Sequence, residues 1–495
     1  MTEILDGIVY GFSVSLSPGN LLACFIGVLM GTIVGVLPGI GPIVAMSLLL
    51  PVVMRMDPTT GLIAMAGVFY GAMYGGSTTS ILLNLPGEAA SVVTCLDGHE
   101  MAKRGRAGPA LAICAIGSFV TGTLGVVLLT FLAPPFATMA LAVGPPELTA
   151  ILVLSFVLVM QFSGGSRVRA AAAAFLGFLL ASIGLDPVEA SPRFTFNTYT
   201  LLDGIGFGPL VIGLFGVAEM LSNLDTRWRP VATLPPIHGL WPTADDLRTA
   251  APAIARGGLI GFFLGILPGM GASIPAFVSY SVERRLSKYP ERFGQGAIEG
   301  VAAPESANNA ATAGNLVPLL TLGIAPSAAT AILMAGFLTH GVTPGPLLIQ
   351  ERPEIFWGVV TSMYTGNVIL LILNLPLVAV WVRLLMIPQV YLVPPVLLVC
   401  AVGTYSVATN PWDVVVMAAF GILGYVMRKL DFPPVPLVLA FVLGRIFEEA
   451  LRQSLSMSLG SFTIFLTRPI ALVMLLATLA VLVLPLVSTR GRWPR

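Results

Sequence analysis

Charge is what this 495-residue sequence has least of. Only 10% of its residues are Asp, Glu, Lys or Arg, against about 25% in ordinary soluble proteins. Residues 7–54, 58–87, 107–146, 257–282, 306–350, 355–382 and 469–489 contain none at all. With 56% hydrophobic residues and a mean hydropathy of +0.92, this absence excludes a soluble globular protein. The net charge of +1 gives no case for nucleic acid or an acidic partner surface. The four cysteines, Cys24, Cys95, Cys114 and Cys400, are scattered without metal or redox spacing and read as small core residues. The three histidines, His99, His238 and His340, stand alone and form no metal or nucleophile pattern. No GxxxxGK[ST] loop is present, so ATP is not hydrolysed by that route, and no GxSxG elbow occurs. The acidic early residues Glu3 and Asp6, with no evident cleavage site, do not read as a removable signal peptide.

What is there is a set of long apolar runs. A spanning helix needs roughly 20 mostly apolar residues, so the runs predict about 10–12 membrane segments. The stretch Gly31–Pro51, GTIVGVLPGIGPIVAMSLLLP, is apolar enough for a membrane but carries Pro38, Gly39, Gly41 and Pro42 in its middle. Proline lacks a backbone N–H and glycine permits positive φ, so a helix entering from Gly31 should stop there. The same text returns at Gly261–Pro275, GFFLGILPGMGASIP. Gly31, Gly35, Pro38, Gly39 and Gly41 match Gly261, Gly265, Pro268, Gly269 and Gly271, each 230 positions on. Broken apolar segments at corresponding places in two halves point to the binding site of a secondary transporter. A kink tucked against a neighbouring helix is the structural alternative.

The resulting expectation is an all-α polytopic membrane protein in two structural repeats with broken or re-entrant helices. Residues 1–222 read as the first membrane repeat, 223–256 as a connecting loop and 257–450 as the second repeat. Residues 451–495 read as a C-terminal span and basic tail. Whether the repeats are parallel or inverted stays open. Pro134-Pro135 reads as a turn between helices at 109–132 and 136–162. Leu85–Gly108 reads as a polar loop whose Lys103, Arg104 and Arg106 suggest a cytoplasmic end.

Three constellations have chemistry to offer. Freed N–H groups at a half-helix start suit a carboxylate, and freed carbonyls suit a cation. Ser77, Thr78, Thr79, Ser80 and Asn84 lie just after the first break. Ser306, Asn308, Asn309, Thr312 and Asn315 mirror them after the second. Such groups can donate to carboxylates or coordinate a hard cation, and they can equally be interhelical glue. Glu305, in AAPESANNAAT, either binds Na⁺ or a proton, or sits in an aqueous mouth beside Arg284 or Arg285. Glu88 has the same ambiguity.

Four stretches carry a family resemblance: GTIVGVLPGIGP, YGAMYGGSTTSILLNLPGEAASVVTCLDGHEMAKRGRAGPAL, GILPGMGASIPAFVSYSVERRLSK and EGVAAPESANNAATAGNLVPLLTLGIAPSAATAILMAGF. The chain resembles the large membrane subunit of the tripartite tricarboxylate transporters, TctA, over nearly its whole length. That resemblance implies a multi-pass permease of the bacterial inner membrane. It also implies a small four-helix membrane subunit (TctB-like), a periplasmic substrate-binding protein (TctC-like), and uptake driven by an ion gradient. The implied substrates are carboxylates, citrate being the best known.

The expected site lies between the tips at Pro38–Pro42 and Pro268–Gly271. Pro38, Gly39, Gly41, Ser77, Thr78, Thr79, Asn84, Pro268, Gly269, Gly271, Ser306, Asn308 and Asn309 would bind substrate. Glu305, Thr312 and Asn315 would couple a cation, Na⁺ or H⁺. No enzyme chemistry and no cofactor are expected. A channel, a permease for another solute, a lipid enzyme and a non-transporting scaffold are the rivals.

Overall fold

The computed structural model describes residues 2–37, 41–162, 166–225, 239–385, 393–408 and 410–488. Pro38 and Gly39 of the first break, His238 and the RGRWPR tail lie outside the described residues. The chain is almost wholly helical; one two-stranded ribbon, Gly184–Leu185 against Pro192–Arg193, occurs among the described residues. Among the described residues, six helices are long and apolar enough to cross a membrane, and five more apolar helices are shorter.

The first half contains α1 (Thr2–Ser15), α2 (Pro18–Val36), α3 (Gly41–Val53), α4 (Pro58–Leu83), α5 (Val92–Lys103), α6 (Ala107–Ala140), α7 (Pro145–Phe162) and α8 (Arg167–Ala181). It continues through α9 (Phe207–Val211), a π turn (Ile212–Val217) and α10 (Ala218–Asp225). The second half opens with α11 (Ala244–Ile266), α12 (Ser273–Leu286), α13 (Glu299–Leu322) and α14 (Ala328–Thr339). Then come α15 (Leu348–Glu351), α16 (Pro353–Asn374), α17 (Val378–Leu384), α18 (Val393–Ala408), α19 (Pro411–Lys429), α20 (Pro434–Met457), α21 (Ile464–Thr467) and α22 (Pro469–Ser488).

Two helices, α4 and α13, form the centre. Every residue from Gly61 to Leu82 and from Gly300 to Thr321 is buried. Neither is among the six apolar spans, because both face protein on all sides and have no need of a lipid-compatible surface. Each is flanked by a helix in close backbone approach. On α2, Gly27, Gly31 and Gly35 rest against Ala64, Val68 and Ala72 of α4; a Cβ on Gly35 would lie 2.2 Å from the Ala72 carbonyl oxygen. On α11, Gly257, Gly261 and Gly265 rest against Ala303, Ala307 and Ala311 of α13, with 2.2 Å left for a Cβ on Gly261. Small residues of this kind let helices pack where lipid supplies no hydrophobic drive.

The register of these contacts fixes direction. Within each pair the contact numbers rise together, so α2 runs parallel to α4 and α11 parallel to α13. Helix α6 also follows α13, with Gly117 beside Ser306 and Gly125 beside Ala313. Helix α16 follows α4, from Gly358 at Thr59 to Gly366 at Tyr70. Where α6 meets α16 the order reverses, Gly122 lying at Asn367 and Thr130 at Tyr364. Helices α4 and α13 are therefore antiparallel, and the two hairpin units are inverted relative to each other.

Several expectations change. Pro134-Pro135 does not turn the chain: α6 runs unbroken from Ala107 to Ala140. Proline is tolerated in such helices because neighbours can satisfy the freed carbonyls. The stretch Leu85–Gly108 is only partly a loop, since α5 occupies half of it and packs on α4 and α13. Helix α11 starts at Ala244, inside the expected connecting loop, on a capping box of Thr243 and Asp246. Near the N-terminus, α1 lies on α16, with Gly7 and Gly11 against Trp357.

Candidate functional site

The two breaks are held by specific bonds. At the first, the chain turns away after Val36, and the carbonyl of Val36 accepts a hydrogen bond from the Thr79 hydroxyl of α4. Gly41 resumes the helix at φ 61°. At the second, the N–H of Gly269 donates to the carbonyl of Pro326 at 2.8 Å. Gly269 sits at φ 84°, where a Cβ would meet the backbone of Val159 at 2.6 Å; only glycine fits both conditions. Backbone left unpaired at membrane depth would cost several kcal/mol per group, so these bonds stabilise the chain at Val36 and at Gly269.

After the breaks, the halves are built alike again. Helix α4 ends on Asn84 in the left-handed region, φ 55°, and α13 ends on Gly323, φ 68°. Four residues later come Glu88 and Ser327, each the cap of a new helical start. Glu88 forms a capping box with Ser91, and Ser327 forms one with Thr330. The two boxes close with Ser91 Oγ 3.3 Å from the N–H of Glu88 and Thr330 Oγ1 2.9 Å from the N–H of Ser327.

These four chain segments converge on one cavity of about 700 Å³. Gly41 and Pro42 border it from the first break, and Gly269–Ile274 from the second. Pro86–Ala89 and Pro326–Ala329 close it from the two capped turns. Phe69 and Met73 of α4 make one wall apolar, while Asn315 of α13 makes another polar. Three charged side chains line the cavity: Glu88, Glu219 and Arg428. Arg428 donates to the Glu219 carboxylate across a short ion pair. The size suits a small organic molecule.

Behind the cavity lies a polar layer. Glu305 is fully buried and accepts hydrogen bonds from Ser77 Oγ, at 2.5 Å, and from the Thr94 hydroxyl. The alternative of an aqueous mouth beside Arg284 or Arg285 is thereby overturned. One helical turn on, Asn308 Nδ2 donates to Glu88 Oε1 at 2.9 Å, and Asn308 is also fully buried. Glu305, Asn308, Thr312 and Asn315 recur at spacings of three and four and so share one face of α13.

The structure divides the residues expected to form the site. Gly41, Gly269, Gly271 and Asn315 line the cavity; Pro38 and Gly39 lie outside the described residues. Asn308 reaches the cavity wall through Glu88. Ser77 and Glu305 join each other behind it, and Thr78 is buried beside Ser77. Thr79 secures the first break, and Thr312 bonds back to its own helix at Asn309 O, 2.6 Å. Asn309 turns the other way, donating to Ser118 Oγ of α6 at 2.7 Å, and the carbonyl of Ser306 accepts from Thr121. Asn84 does not line the cavity: it is an exposed helix cap, chosen because asparagine tolerates the left-handed region. Pro268 is half-buried at the tip and also lies outside the lining. Sequence reading passed over Ser327, Glu219 and Arg428. Ser327 was legible, because Glu88-Ala-Ala-Ser91 and Ser327-Ala-Ala-Thr330 stand at the same offset of 239; the Glu219–Arg428 pair joins two distant helices and leaves no local signal.

Among known proteins, the chain is 44% identical over 489 residues to an uncharacterized 52.8 kDa protein of Agrobacterium vitis from the TAR-I ttuC' 3'region, spanning 99% of this chain and 97% of the relative. It is 49% identical over 211 residues to a second uncharacterized protein of the same organism, from the TAR-II ttuC' 3'region, covering 43% of this chain and 87% of that one. No solved structure matches. Residues 21–439 match the model of the tripartite tricarboxylate transporter TctA family, so this multi-pass membrane protein belongs to that family.

Proposed function

We propose that the chain is the substrate-translocating subunit of an ion-gradient-driven importer of small carboxylates, di- or tricarboxylates of the citrate kind. The observation that carries the reading is the cavity walled by both breaks, both capped turns and Arg428. A guanidinium and the amide groups of a helix start are both suited to carboxylate oxygens. The first turn of α14, behind Ser327, faces the cavity at Ala328 and Ala329. Arg428, held by Glu219, supplies the positive side chain.

The inverted hairpin units suit alternating access, in which one unit moves against the other around a site near the membrane midplane. The glycine-packed pairs α2–α4 and α11–α13 would move as rigid bodies, since their backbones touch. In this reading the chain works in a bacterial inner membrane with a small membrane subunit and a periplasmic binding protein, as its family suggests. Glu88 and the buried polar layer would take part in coupling to a cation.

The test is uptake of labelled di- and tricarboxylates by vesicles holding the chain and its small membrane subunit, with the binding protein added outside. A Na⁺ or a proton gradient is imposed in turn. Accumulation of a carboxylate above its outside concentration, under one gradient, is the expected result. Equilibration without accumulation would make the chain a channel. No carboxylate entry with all three components present and folded would overturn the substrate class.

A further inference from the structure

We infer that a second cavity, between α8, α14 and α20, binds one zwitterionic phospholipid with a primary-amine headgroup, of the phosphatidylethanolamine kind. This is independent of the carboxylate reading.

The second cavity holds about 330 Å³. Its lining is mostly apolar. Ala331, Ala335 and Leu338 form one stripe of α14, Leu180 comes from α8, and Phe207 stacks on Phe441 of α20 with ring centroids 6.4 Å apart. Two charged side chains also line it, Asp203 and Arg445, and both are exposed. No ion pair joins them, and the Asp203 carboxylate has no partner among the described residues. Arg445 makes only long contacts there: Nη2 lies 3.5 Å from the Leu185 carbonyl and Nε 3.9 Å from the Glu449 carboxylate. Most of its five N–H donors are left open.

This cavity lies where its helices leave the apolar layer. Helix α20 is uncharged from Pro434 to Gly444, then carries Arg445, Glu448, Glu449 and Arg452. Helix α8 ends at Ala181 and α14 at Thr339, and both residues line the cavity. The segment after α8 exposes Phe194, Phe196 and Tyr199, as aromatic residues at headgroup level do. An apolar recess with open charges at that level suits an acyl chain below its headgroup.

The signs of the charges select the headgroup. A guanidinium receives phosphate oxygens through paired N–H donors. An unpaired carboxylate on the same rim repels further negative charge and accepts from an ammonium. A headgroup with a phosphate and a primary ammonium satisfies both. An anionic headgroup leaves Asp203 opposed, and a quaternary amine offers it no N–H. Bound there, the lipid would bridge α14, whose first turn borders the larger cavity, and the α8–α20 pair.

The test uses the full-length purified chain, delipidated in detergent and titrated with phosphatidylethanolamine, phosphatidylglycerol or phosphatidylcholine. Retained lipid is counted by native mass spectrometry. One phosphatidylethanolamine per chain should be held several-fold more tightly than either other lipid. Arg445→Gln should weaken all three by roughly tenfold, the size of a lost charge-assisted hydrogen bond. Asp203→Asn should bring phosphatidylethanolamine down to the level of phosphatidylcholine. Should Arg445→Gln fail to fold, Asp203→Asn alone decides the headgroup preference. Arg292→Gln, in the loop between α12 and α13, should change nothing. Equal retention of the three lipids, tighter retention of phosphatidylglycerol, or full phosphatidylethanolamine binding by a folded variant of either residue would overturn the proposal. Displacement of the lipid by added small membrane subunit would give the recess to that protein and overturn it as well.

Discussion

Glu88 and Ser327 hold the same place in the two halves of the chain, with the same backbone. Their φ and ψ are −147° and 168°, and −146° and 165°. Each caps a new helical start four residues after a left-handed helix end, and both border one cavity. They differ in side chain: one half presents a carboxylate and the other a hydroxyl.

Ser327→Ala should remove the side-chain cap that accepts from Thr330 N–H at 3.3 Å. A lost cap costs about 1 kcal/mol, and the first turn of α14 would loosen at the cavity wall. The expected outcome is a KM for carboxylate uptake raised roughly fivefold, with thermal stability lowered slightly. Ser327→Thr should restore both.

Arg428→Gln should abolish most uptake. A charge-assisted hydrogen bond contributes on the order of 1.5–3 kcal/mol, so substrate affinity should fall by about ten- to a hundredfold. Binding of labelled carboxylate to the purified chain measures this directly. Unchanged affinity would place the substrate elsewhere.

Gly261→Val should destabilise the fold. Its Cβ would sit 2.2 Å from the Ala307 carbonyl oxygen and 2.6 Å from the Ala307 Cα, both backbone atoms that cannot turn aside. Overpacking of this kind costs about 1–3 kcal/mol. A lowered melting temperature in detergent is expected, and Gly35→Val should behave alike because Ala72 O is equally close.

Ser77→Ala should lower stability by about 1–3 kcal/mol, since it removes one of two hydroxyl donors to the buried Glu305. Glu305→Gln retains shape and should melt near the wild type. The comparison of melting curves separates a polar layer that supports the fold from one that is dispensable to it.

Asp186 offers a pH test outside the membrane. The N–H groups of Glu189 and Val188, each 2.8 Å from its Oδ1, hold the carboxyl below its usual range, and Arg452 and Arg193 add to this. A lowered folded value means its contribution is complete above the unfolded value of about 3.9 and is lost as pH falls through the lower folded value. Protection against hydrogen exchange in the 182–206 segment, taken relative to the intrinsic rate at each pH, should therefore be high at neutral pH and fall in strong acid. Asp186→Asn should show the lowered protection already at neutral pH.

The sequence by itself determined the membrane class, because charge-free runs of this length have no other stable home. It also determined the two breaks, because proline stands beside glycines that take positive φ, at Gly41 in the first and at Gly269 and Gly271 in the second, and that pairing ends a helix. The matched glycines at 31, 35, 261 and 265 were legible for the same reason: their spacing is local. Helix order around Pro134-Pro135 was not legible, since a neighbour's ability to satisfy freed carbonyls is a tertiary property. Nor was the burial of Glu305, whose partners Ser77 and Thr94 lie 228 and 211 positions away. Only the packing of α6 and α16 against each other decided that α4 and α13 run antiparallel. Only the tertiary structure brings Glu88, Asn315 and Arg428 to one cavity, because direction and contact across distant helices are set by how backbones meet and not by any one stretch of text.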